Sequence, residues 1–224
     1  MEAKQVHALA LTRFSNQDAM HKMETSYKNL IQTVTNTIGS DLVVGIIDLP
    51  TKFRCSFKNL SSVAFAKLNQ IYILGAQINK IVLLFNTKEL VIEVKKQSYK
   101  PTIKRRKIIG IKDIDSIVQT FLEKDNVLAK SDHRIASEIL KLILRWSWGQ
   151  LAAEIAIEKN GGAYEFTVKK LLNLSFVQLS ALQKIHESIH DIDVNLHKKE
   201  LRFNVTCTDE YITLQNTSKK ARYG

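Results

Sequence analysis

The chain is short of cysteine and glycine and has no long apolar run, with two cysteines and eight glycines among 224 residues. Each scarcity removes a class of protein. Two isolated thiols, Cys55 and Cys207, make neither a disulfide framework nor a zinc-ligand spacing. They read as small buried apolar residues near corresponding places in two strand systems. Eight glycines leave little material for phosphate-cradling loops, and G-x-G-x-x-G, G-x-x-x-x-G-K-[ST], G-x-S-x-G and C-x-x-C are all missing. A non-catalytic protein that needs no cofactor is the expectation. No apolar stretch approaches the roughly 20 residues that span a bilayer, and the N-terminal region is too polar for a signal peptide. The chain is expected to lack a transmembrane segment and to be intracellular, nuclear or cytoplasmic, rather than secreted.

Acidic residues are outnumbered, 22 against 33 basic ones, for a formal net charge of +11. Such a chain is drawn to polyanions at low salt, and nucleic acid is the commonest such partner. An anionic membrane surface and an acidic protein are the competitors. The densest positive segment holds Lys95, Lys96, Lys100, Lys104, Arg105, Arg106 and Lys107, and Pro101 bars a regular helix there. It reads as a solvated loop or as a phosphate-contacting segment overlapping a nuclear-import signal. Tyr99 offers one aromatic for stacking, and the R-G-F-x-F signature of sheet-stacking RNA domains is missing, so that common RNA domain is not expected.

What is present in quantity is an internal repeat, which outranks any single motif. Phe53-Arg54-Cys55-Ser56-Phe57, Leu60, the ladder Val63, Leu68, Ile71, then Ile81 to Phe85 and Glu89 to Val94 return as Tyr164 to Val168, Leu174, the ladder Val177, Leu182, Ile185, then Ile192 to Leu196 and Glu200 to Val205. The helix positions match at an offset of 114 (174 minus 60) and the closing Glu-Leu at 111 (200 minus 89), which requires three residues to be lost between helix and hairpin. Leu182, Ile185 and Ile189 share a helical face. An extra strand precedes each copy, Leu42 to Ile47 and Glu154 to Glu158, the latter closed by the turn sequence Lys159-Asn160-Gly161-Gly162.

The sequence therefore predicts an α+β fold, mostly antiparallel sheet from two ββαββ-like repeats, with an N-terminal helix and an inserted helical hairpin. Segments follow as 1–40 with the helix over about 16–38 between a Ser15/Asp18 cap and Gly39, 41–97, a basic loop plus hairpin at 98–149, 150–214, and a basic tail at 215–224. In the hairpin, Asp113 caps a helix with Ile114, Ile117, Val118, Phe121 and Leu122 on one face. A second helix follows Ser131 with Ile135, Ile139, Leu142, Ile143 and Trp146 inward.

His186-Glu187-Ser188-Ile189-His190 fits H-E-x-x-H, the helical spacing for two zinc-binding imidazoles and a glutamate base, with Glu210 as a nominal third ligand. Asp191 follows the second histidine at once and the repeat already accounts for the segment, so a zinc hydrolase is the remote alternative, and exposed histidines beside an apolar face are the plainer reading.

The phrase from Lys52 to Phe57, a helix, and Ile81 to Val94 resembles the half-domain repeat of DNA sliding clamps, the family of PCNA, the checkpoint clamp subunits and viral processivity factors. Tyr164 to Cys207 resembles a second half-domain. The resemblance implies a DNA-associated accessory or processivity factor whose repeat helices offer cations to phosphates, here Lys67 and Lys184. Two repeats amount to one clamp domain, which fits a monomeric or dimeric relative. The alternative is a structural or assembly protein, with a protein partner or a homo-oligomer contacted through the N-terminal helix and the sheet edges.

Overall fold

The computed structural model describes residues 25–39, 43–74, 78–96, 114–146 and 155–208. The Ser15/Asp18 cap, Met20, Met23, all of 98–113, Glu154, Glu210 and the tail fall outside them. It is an α+β protein with two antiparallel five-stranded sheets. In chain order the elements are α1 (Thr25–Ile38), β1 (Val43–Asp48), β2 (Lys52–Lys58), β3 (Ser62–Ala64), α2 (Phe65–Leu74), β4 (Ile78–Leu84) and β5 (Glu89–Lys95). They continue as α3 (Ile114–Lys124), a 3-10 turn at Lys130–Asp132, α4 (His133–Trp146), β6 (Ile155–Asn160), β7 (Ala163–Lys169), β8 (Asn173–Ser175), α5 (Phe176–Gln183), β9 (Ile189–Asn195) and β10 (Glu200–Thr206). After a helix, each half thus runs strand, strand, short strand, helix, strand, strand. The three-residue strand before each repeat helix was not predicted from the sequence.

The halves keep one offset of 111 throughout, from Phe53 and Tyr164 (164 minus 53) to the closing glutamates Glu89 and Glu200. Phe57 pairs with Val44 and with Leu90, and Val168 pairs with Ile155 and with Leu201, the same register in both halves. The expected offset of 114 across the helix is incorrect. Leu174, Leu179 and Leu182 are buried where Val63, Leu68 and Ile71 are, whereas Val177 is 74% exposed. Helix α5 ends at Gln183, so Ile185 lies in a turn and Ile189 opens β9. The cysteines do not correspond either: Cys55 matches Phe166 and Cys207 matches Lys96, although both thiols are free and buried.

The chain divides into two compact units. The first holds the described residues up to Lys96 together with Leu172–Phe176 and Val194–Lys199. Its sheet has the order β1-β2-β5-β4-β8. Alternation places Phe53, Cys55 and Phe57 of β2 inward, against Leu90, Ile92 and Val94 of β5. Helix α1 packs on α2 and buries Ile31 and Val34, while the hydroxyls of Thr33, Thr35 and Thr37 donate to carbonyls one turn back and so satisfy themselves within the helix. Gly39, at φ +149°, ends it, its backbone N–H donating a hydrogen bond to the Thr35 carbonyl.

The second unit holds the remaining described residues. Strands β9-β10-β7-β6 run in that order in the second sheet, with β3 beyond β9. Phe166 and Phe203 face each other across β7 and β10 with stacked rings 5.0 Å apart. Helices α3 and α4 pack together. The buried stripe on α4 is Ala136, Ile139, Leu140, Ile143 and Leu144, so Ile135, Leu142 and Trp146 are only half-buried, a rotation of the expected face. Val118 and Leu122 are the buried residues of α3.

A polar latch fixes the hairpin of this unit. Buried Asp132 accepts the Tyr164 hydroxyl at 3.0 Å on Oδ2, and on Oδ1 the Thr208 amide at 2.7 Å and the Thr208 hydroxyl. The Tyr164 oxygen in turn accepts the Ala129 amide at 3.0 Å. Burial, with the Asp132 carboxylate adding to it, pushes the Tyr164 phenol up to about 12.

Candidate nucleic-acid interface

Of the seven cations in the basic segment, Lys95 and Lys96 lie within the described residues, and Lys100, Lys104, Arg105, Arg106 and Lys107 fall outside them. Lys95 closes β5. Lys96 sits just beyond it, 2.5 Å from the Asp48 carboxylate and with its ammonium 4.7 Å from the Phe53 ring centroid. Lys96 is therefore compensated by a carboxylate and an aromatic face, which weakens its candidacy for phosphate. Lys52 with Glu93 at 2.7 Å and Lys58 with Glu89 at 3.5 Å spend strand lysines in the same way.

Lys67 is exposed on α2, as expected. Lys184 is exposed too but stands in the turn after α5, because the helix in the second copy ends two residues earlier than its counterpart α2. The exposed positions of α2 are otherwise Ala66, Asn69, Gln70, Tyr72 and Ile73, neutral and partly apolar. Tyr72 stacks on Phe176, with ring centroids 4.5 Å apart. Neither repeat helix displays a cationic row.

The H-E-x-x-H string is not helical. His186 lies in the turn, with Nδ1 2.9 Å from the Ser188 hydroxyl. His190 lies on β9, with Nδ1 2.7 Å from Asp191 and Nε2 3.2 Å from the Thr206 hydroxyl. A strand start in place of a helical turn removes the i, i+4 geometry that would set both imidazoles on one zinc ion. Among the described residues no group of three or more His, Cys, Asp or Glu side chains is arranged to hold a metal. The Asp191 carboxyl is held below its usual range by the His190 hydrogen bond and then by Asn204.

A cluster that sequence reasoning did not nominate lies at the tips of the β4–β5 and β9–β10 hairpins, both within the first unit. The Lys88 ammonium is 3.1 Å from His197 Nδ1, and that of Lys199 is 3.5 Å from the Asn86 side-chain oxygen. An ammonium can only donate, so in this contact His197 Nδ1 is the acceptor. Lys198 completes the group, its amide capped by Asn195 at 2.8 Å. Two reciprocal bonds tie each tip to the residue ahead of the other copy's short strand: Leu196 N to Ser61 O at 2.8 Å and Phe85 N to Leu172 O at 3.3 Å, which are equivalent positions in the two copies. The signal in the sequence was the match of Asn86-Thr87-Lys88 to His197-Lys198-Lys199, but nothing in it placed the two tips side by side.

Comparison with protein-family models, with curated proteins and with solved structures gives no match. No described helix is long and apolar enough to cross a membrane.

Proposed function

We propose that the chain is a non-catalytic, DNA-associated accessory protein of clamp-like build, binding through its cationic loops and turns rather than through its repeat helices. The observation that carries the reading is the uninterrupted duplication: two copies of the pattern behind the sliding-clamp resemblance, in one register, on a chain of net charge +11. Such a charge supplies affinity by counterion release, which is independent of sequence and weakens with salt. The outer face of α2, neutral apart from Lys67, argues against the helix-lined contact that the resemblance implies. A salt series tests this. Binding to a random-sequence duplex at about 50 mM salt should fall steeply towards about 200 mM, and no detectable binding at the lower salt would refute the reading. Changing Lys104, Arg105, Arg106 and Lys107 together to alanine should flatten the slope by up to about four phosphate contacts. Changing Lys67 and Lys184 should do less, and the reverse outcome would restore the helices as the surface.

A second reading, an assembly protein, draws on Ile47, half exposed on the outer strand β1, and on Ile73, 71% exposed on α2. Sedimentation at increasing concentration distinguishes it: self-association without any affinity for DNA would favour assembly.

A further inference from the structure

We propose that the paired tips of the β4–β5 and β9–β10 hairpins form a phosphate-gripping point for the backbone of duplex DNA. The inference rests on the DNA-binding reading and assigns to it a site that the basic segment does not contain.

Charge is the first argument. Lys88, Lys198 and Lys199 sit in one cluster, and among the described residues none of them is paired with a carboxylate. The two glutamates next in the chain are engaged elsewhere, Glu89 with Lys58 at 3.5 Å and buried Glu200 with Arg202 at 2.9 Å. The ammoniums of Lys88 and Lys199 lean on neutral acceptors, which hold them in place without cancelling their charge. This differs from Lys52 and Lys96, whose carboxylate partners do cancel it.

Backbone conformation is the second. Lys88 and Lys199 occupy the left-handed region at φ +53° and +56°, at the same place in both copies. Asparagine or glycine is comfortable there and a long L side chain is not. A lysine held twice in that conformation is a local strain of the kind found at functional sites.

Rigidity and surface chemistry select the ligand. The reciprocal bonds through Ser61 and Leu172 fix both tips, so little ordering remains to be done on binding. The apolar residues that open the turns, Phe85 and Leu196, are fully buried. Within the two turns no apolar or aromatic side chain is exposed; Leu172, whose carbonyl receives the Phe85 amide, is the neighbour that is exposed, at 65%, and it makes a vesicle probe a direct test of a lipid ligand. Ammonium point charges with an imidazole N–H beside them suit phosphate oxygens along a backbone, contacts that carry no sequence information.

The test uses the full chain and a labelled random-sequence duplex, with phosphatidylserine vesicles as a second probe. In the variant K88N/K198N/K199N the slope of log affinity against log salt should shrink by about two to three contacts. Its melting temperature should not fall, because asparagine suits the left-handed positions. The arginine variant K88R/K198R/K199R should bind as the parent does. Parental affinity and slope in the asparagine variant would overturn the site while leaving the DNA-binding reading intact. A parent chain that fails to bind the duplex would overturn both. Loss of binding in the arginine variant would assign the lysines a structural role, and an equal, tip-dependent affinity for the vesicles would make the tips a general anion surface; either result overturns the proposal.

Discussion

The hydroxyl of Tyr164 separates the two copies of the inward-facing strand, since Phe53 stands at the same register in the other. The ring fills the same core position in both. The oxygen is added where the helical hairpin joins, accepting from Ala129 and donating to Asp132. Tyr164→Phe keeps the packing but leaves the Ala129 amide without its acceptor and the buried Asp132 carboxylate short of one donor. The expected loss is about 1–3 kcal/mol in denaturant unfolding, and a change within error would mean that water replaces the hydroxyl at no cost. The sign with pH follows from the raised pKa. A phenol at about 12 in the fold, against about 10 unfolded, contributes stability that is complete below pH about 10 and lost as pH rises through about 12. Burial likewise raises the Cys55 thiol to about 12, so the parent should lose stability progressively above pH about 9. The phenylalanine variant should keep only the thiol part of that loss.

At the scale of the element, the strands and the hairpin turns were legible because alternation and turn residues declare themselves locally. The register of the second helix was not. Val63, Leu68 and Ile71 are separated by five and three residues, and both Val177, Leu182, Ile185 and Leu174, Leu179, Leu182 reproduce that spacing. Hydrophobic pattern alone cannot choose between two frames three residues apart on a helix, because the shift nearly completes a turn. Burial chooses the second. The choice also explains why Lys184 falls past the helix and why the H-E-x-x-H string, read as helical in the wrong frame, spans a turn and a strand. The α4 face was misjudged for a related reason, since aromatic Trp146 suggested an inward stripe that Leu140 and Leu144 in fact form. Leu179→Ala should then cost about 2–5 kcal/mol as a core truncation, while Val177→Ala should stay within about 0.5 kcal/mol as a surface change. Denaturant midpoints with unchanged slopes would measure both, and the opposite ranking would reinstate the offset of 114.

At the scale of the molecule, the compact units are not consecutive stretches of chain, and no sequence pattern announces that. The strand β8, which lies in the second repeat, completes the first unit's sheet through Val82 with Ser175, Leu83 with Leu174 and Leu84 with Asn173. Phe176 packs its ring on Phe65 and Tyr72. Local alternation can identify a three-residue strand only weakly, and its partner lies about ninety positions away, so this part of the topology had to come from the structure. It has a consequence for dissection of the protein. A fragment ending before residue 112 keeps β1, β2, β5 and β4 but loses the β8 bonds, the Leu172 carbonyl that receives the Phe85 amide, and the aromatic cover of Phe65. Such a fragment, as a monomer, should unfold at a markedly lower denaturant midpoint than the intact chain, because an exposed β4 edge and an uncovered phenylalanine together remove a large share of the roughly 5–15 kcal/mol that holds a domain folded. Self-association is the route left to it. Strand β3 holds in the second sheet the place that β8 takes in the first, so two copies of the fragment carry the complementary strands to finish each other's sheets. The fragment's stability should therefore rise with its concentration, followed by circular dichroism alongside sedimentation. A monomeric fragment as stable as the whole chain at every concentration would show that the borrowed strand is dispensable and that the first repeat folds alone.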